Sequence, residues 1–184
     1  MADGLFYHDT REPFMVADLA AVTLASTAKA LYPASNFPVL GGQYWVRPGK
    51  ALRIRAFGKI TTGATPGNGT FAIYYGTGAD ANGTVLASSA AQTLVASQTN
   101  LSWELDIKIR CVTIGSAGTL YVTGHAIFNT AVIAAGTFLI PASAAAASAG
   151  IDLTAANIIS VQFSRSGSTA ETMTVQDLEV VALN

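Results

Sequence analysis

The sequence predicts an all-β sandwich, and three observations lead there. Apolar and polar residues alternate with a period of two over most of the chain. Clusters rich in Gly, Asn and Ser interrupt that alternation at short intervals. No segment carries the period of a long helix.

Residues 1–20 mix charges, aromatics and apolar residues without a clean period and read as a short N-terminal arm. A short helical turn is expected near 15–20. Two apolar patches, Leu5, Phe6 and Tyr7 and then Phe14, Met15 and Val16, suit an arm that docks on a neighbouring molecule. Residues 21–184 are read as a single β-sandwich domain. In 50–62, Leu52, Ile54, Ala56 and Ile60 point one way and Arg53, Arg55 and Lys59 the other, as in a half-buried strand. The turn Gly63-Ala-Thr-Pro-Gly-Asn-Gly69 follows, then a strand at 70–75 with Phe71, Ile73 and Tyr75 on one face. Another turn at 76–83 leads to a short strand at 84–87.

The clearest strand spans 101–113, where Trp103, Leu105, Ile107, Ile109 and Cys111 alternate with Glu104, Asp106, Lys108 and Arg110. Gly115-Ser-Ala-Gly118 turns it into 119–129, where Leu120, Val122, Ala126 and Phe128 share a face, making a long hairpin. Further strands are expected at 137–140, 151–153, 158–164 and 171–183. The last two are expected to form a hairpin through Arg165-Ser-Gly-Ser168. The apolar phase shifts between Val175 and Leu178, which predicts a β-bulge near Gln176 and Asp177. The Ala-rich segment 141–150 is short and bounded by Pro and Gly, and reads as a loop or weak edge strand rather than one helical turn. Eight to ten strands, without an internal repeat, give the size of a jelly-roll-like antiparallel β-sandwich.

Composition narrows the function. Charged residues make up 11% of the 184, against roughly 25% in an ordinary soluble domain. A surface that poor in charge predicts extensive subunit contacts. The net charge of −1 and the lack of any Lys/Arg cluster in the sequence argue against nucleic-acid binding. No apolar run approaches the roughly 18 residues of a membrane span, so no membrane partner is expected. The first residues, acidic and without an apolar core, are not expected to be a secretory signal. A single Cys excludes an intramolecular disulfide framework and fits synthesis in a reducing cytoplasm.

No constellation for chemistry emerges, and no catalytic residue, cofactor site or metal site is assigned. Two histidines, His8 and His125, cannot supply the several ligands of a cupin-type metal centre. Cys111 lies in the apolar phase and reads as a buried, inert thiol. Gly76 and Gly78 follow a strand but lead into another strand, so they form a turn rather than a phosphate loop. Asp80 and Asn82 alone are a weak calcium signal, and the three Asn-x-Ser/Thr matches mean little without a secretory signal. The acids Glu104 and Asp106, interleaved with Lys108 and Arg110, read as cross-strand charge ladders. Tyr44, Trp45, Tyr74, Tyr75, Trp103 and Tyr121 are the aromatics that a sugar-stacking face would use, with Trp103 in phase with the core.

Several stretches resemble virion proteins of tailed bacteriophages. One is Val46-Arg-Pro-Gly-Lys-Ala-Leu-Arg-Ile-Arg-Ala-Phe-Gly-Lys-Ile-Thr-Thr-Gly-Ala-Thr-Pro-Gly-Asn-Gly-Thr-Phe71. Others are Ala87-Ser-Ser-Ala-Ala91 to Trp103-Glu104-Leu105, the Gly118-Thr-Leu120 strand start, and the closing segment 165–184. The resemblance spans roughly residues 40–184 and leaves the arm uncovered. It implies a structural protein of the virion, made in the host cytoplasm: a capsid decoration or minor head protein, often a homotrimer, whose partners are its own copies and the major capsid protein. The alternative is a carbohydrate-binding or fibre-associated adhesion module with host surface glycans as partners. A jelly-roll hydrolase or lyase is the weakest reading, for want of a His, Asp and Glu constellation.

Overall fold

Strands that carry one apolar row each can bury those rows only against a second sheet, and the chain does so with two antiparallel sheets. The computed structural model describes residues 14–17, 19–40, 44–129, 136–144 and 146–183, the first four by backbone alone. Among the described residues twelve strands follow in chain order. They are β1 Phe14–Ala17, β2 Val22–Thr23, β3 Lys29–Ala30, β4 Ala51–Thr61, β5 Asn68–Gly76 and β6 Thr84–Ser88. Then come β7 Gln92–Thr93, β8 Leu101–Thr113, β9 Thr119–Phe128, β10 Thr137–Ile140, β11 Ile158–Arg165 and β12 Thr172–Ala182. A 3₁₀ turn covers Ala34–Asn36.

The larger sheet runs β1-β12-β4-β8-β9-β10, with β2 also on β12; the smaller runs β3-β11-β5-β6, with β7 also on β5. Together they form a jelly-roll-like antiparallel β-sandwich. Phe71 on β5 stands at the centre of the interior, with the rings of Phe163, Phe128, Trp103 and Phe138 at 4.8 to 6.0 Å. The inward rows expected for β4, β5, β8 and β9 are all buried. One inward position in β4 is Gly58, where a side chain would strike the Trp103 indole and the Thr174 carbonyl. The indole fills the space that the glycine leaves. The register of β12 against β4 slips between Val175 and Asp177, which is the expected bulge at Gln176.

Three expectations are corrected. Residues 14–17 form β1, paired in register with residues 177–180 of β12, instead of a helical turn; the backbone groups along β12 offer a strand partner there. Residues 151–153 form no strand, only an isolated bridge from Ile151 to Gly118. Finally, 165–168 is not a hairpin turn, because β11 lies in the smaller sheet and β12 in the larger. The turn carries the chain across the sandwich, beside the 62–67 crossing from β4 to β5. The two crossings bond to each other: Gly167 N donates to Pro66 O at 3.0 Å, Ser168 N to Thr65 O at 3.1 Å, and Asn68 N to Ser166 Oγ at 2.9 Å. The described residues of 141–150 form a loop, as expected, apart from an Ala147–Tyr121 bridge.

Candidate interaction surface

The two outer faces of the sandwich differ in kind. On the smaller sheet the outward residues of β11 include Ser160 and Gln162, and both are buried. The 76–83 turn folds over them: Gln162 Nε2 donates to Ala79 O at 3.0 Å and its Oε1 accepts from Ala81 N at 2.7 Å. Asp80 fastens the same turn, accepting from Lys29 Nζ and from Ala30 N, each at 2.8 Å. Asn82 Oδ1 accepts from Thr77 Oγ1. The oxygens weighed for calcium are thus engaged within the chain. Among the described residues no group of three His, Cys, Asp or Glu side chains is placed to hold a metal.

The larger sheet turns a charged, open face outward. Glu179 of β12, Arg55 of β4, Asp106 of β8, His125 of β9 and Leu139 of β10 form one cross-strand row. Arg53 Nε donates to Asp106 Oδ1 at 2.7 Å, and its Nη2 binds the other oxygen. Arg55 lies 3.6 Å from Glu104 and Asp106 and 3.9 Å from Glu179. Hydrogen bonds from Arg53 hold the Asp106 carboxyl below the usual carboxylate range, against a smaller upward push from burial. The expected charge ladder is therefore present for the acids of β8. It is not present for its cations: Lys108 stands opposite Arg53 and Thr123, and Arg110 opposite Tyr121.

Towards the β10 edge the face becomes apolar. Leu139 is 67% exposed and Ile127 37% exposed, on diagonal positions of paired strands. Beside them a hollow of about 480 Å³ is lined by Thr123, Gly124 and the 139–144 segment. Edge strands are usually blunted by charge; here the large side chain at the edge is a leucine. These two residues belong to strands that the alternation located, but nothing in the sequence marked which outward positions would lie clear of neighbours.

The aromatics do not gather into one stacking platform. Trp45, Tyr75 and Trp103 are buried and Tyr44 packs partly buried against the core. Tyr74 lies on the outer face of the smaller sheet and Tyr121 on that of the larger. Cys111 is buried, and burial pushes its thiol up. His125 sits on the outward row as its phase required. Of the six arm residues, Phe14, Met15 and Val16 lie on β1 against β12 of the same chain. Leu5, Phe6 and Tyr7 lie outside the described residues.

No protein-family model and no curated protein matches the chain. Among solved structures it is similar to the legume lectin-like domain from Entamoeba histolytica, over 92% of this chain and 89% of that one. The identity is 9% and the TM-score 0.35, a likeness too loose to carry a ligand or a role from one to the other.

Proposed function

We propose that the chain is a structural subunit that works by surface packing. In its specific form it is a bacteriophage capsid decoration protein that assembles as a homotrimer on the outer shell. The observation that supports this reading best is the exposed Leu139 and Ile127 pair on the open flank of the larger sheet. Burying what remains exposed of such a pair gains roughly 1–2 kcal/mol at Leu139 and about half that at Ile127, and three symmetric copies multiply the gain. The low charge content and the resemblance to tailed-phage virion proteins point the same way. On a shell, the apolar arm residues Leu5, Phe6 and Tyr7 would reach for the major capsid protein.

Mass measurement in solution tests the proposal. The wild-type chain is expected as a trimer that co-sediments with capsid shells, and Leu139→Asp with Ile127→Asp is expected as a folded monomer. A wild-type chain that remains a monomer at micromolar concentration and ignores shells would sink the idea.

A further inference from the structure

Lys108 and Arg110 stand two residues apart on β8, so both project from the charged face, roughly 7 Å apart along the strand. Both are exposed. The nearest acid in sequence, Asp106, is spent on Arg53 and Arg55. Among the described residues neither cation has a carboxylate partner. Arg47 adds charge of the same sign from the turn that meets the end of β8, where Gly49 N donates to Cys111 O at 2.8 Å. Like charges left side by side on a strand face cost stability, and a bound anion removes that cost.

The cations also have a shaped setting. Lys108, Arg110, Tyr121 and Thr123 line a shallow hollow of about 220 Å³. The Arg110 guanidinium lies over the Tyr121 ring, 5.6 Å from its centroid, which holds the fork in place before a ligand arrives. Thr123 stands across from Lys108 and supplies a hydroxyl.

The chemistry of the ligand follows from what the hollow offers and lacks. Two main cations beside a carboxylate-rich row match one oxyanion, not a polyphosphate backbone, which needs a longer basic track. A peptide gains little here, because β8 and β9 are each paired on both sides and expose no edge for strand addition. A sugar needs only hydroxyl contacts and a counter-charge. We propose that this hollow binds the carboxylate or sulfate group of an acidic saccharide. The site shares neither Leu139 nor Ile127 with the assembly reading, although Thr123 also lines the hollow beside them.

Calorimetric titration with an oligogalacturonide at low salt tests it. Binding is expected for the acidic oligomer, weakening as salt is raised, with no heat from a neutral hexose oligomer. Lys108→Ala and Arg110→Ala are each expected to weaken binding about tenfold with the thermal midpoint kept or slightly raised, because both side chains are exposed and of one sign. Leu139→Asn with Ile127→Asn, which adds no charge beside the hollow, is expected to bind as wild type, which separates this site from assembly. A chain that gives no heat with the acidic oligomer overturns the proposal, as does affinity retained in the Lys108/Arg110 double variant. Inorganic sulfate or oligoglutamate binding as tightly as the sugar would overturn the assignment to a saccharide.

Discussion

At Asp106 two arginines of the neighbouring strand converge on one carboxylate whose side chain is only 15% exposed. Because the folded group titrates below its unfolded range, its contribution is full above about pH 4. It is lost as pH falls through the folded value. Asp106→Asn is expected to lower stability at pH 7 by about 2 kcal/mol, the scale of a charge-assisted hydrogen bond. The cost should shrink as pH falls through the folded value, so urea titrations at pH 7 and in acid would check it. An equal loss at both would assign the effect to packing. Single residues were also where the sequence was most and least informative. The burial of Trp103, Leu105 and Cys111 was legible from phase alone. The fate of Gln162 was not, because a polar outward residue on a strand reads as solvent-facing until the covering turn is known.

The 76–83 turn is the element that hides Gln162, and Gln162 is what fastens it. Gln162→Ala removes the partners of Ala79 O and Ala81 N. It is expected to destabilise the chain by about 1–3 kcal/mol and to raise amide exchange in residues 77–83 while leaving β4 and β8 protected. Exchange mass spectrometry would read both. Strand positions were legible wherever several alternations fit within the strand, as in β4, β8, β9 and β12. The two-residue strands β2, β3 and β7 are too short to show a period. Sheet membership was illegible for a different reason: a Gly/Ser turn that reverses the chain within a sheet has the same composition as one that crosses between sheets. By composition residues 165–168 therefore read as a hairpin, although their hydrogen bonds run to the neighbouring crossing.

For the molecule as a whole, those paired crossings tie the two sheets at one end. A Cβ on Gly167 would sit 2.1 Å from Thr65 O and 2.2 Å from Pro66 C, so the loops would have to part. Gly167→Ala is expected to lower stability by about 2 kcal/mol in a single cooperative transition, followed by thermal melting with two probes. Two separated transitions would show that the sheets unfold independently. Arg165 and the buried Glu171, 2.6 Å apart, lie at the same end, so charge and backbone join the layers together.

The turn laced across Ser160 and Gln162 has a consequence beyond stability. It makes the sandwich two-sided: one outer face is partly covered by its own chain around Ser160 and Gln162, the other is open and charged. If Lys108 and Arg110 hold carboxylates as proposed, copies laid down on a carboxylated support would come to rest with the larger sheet downward and the covering turn outermost.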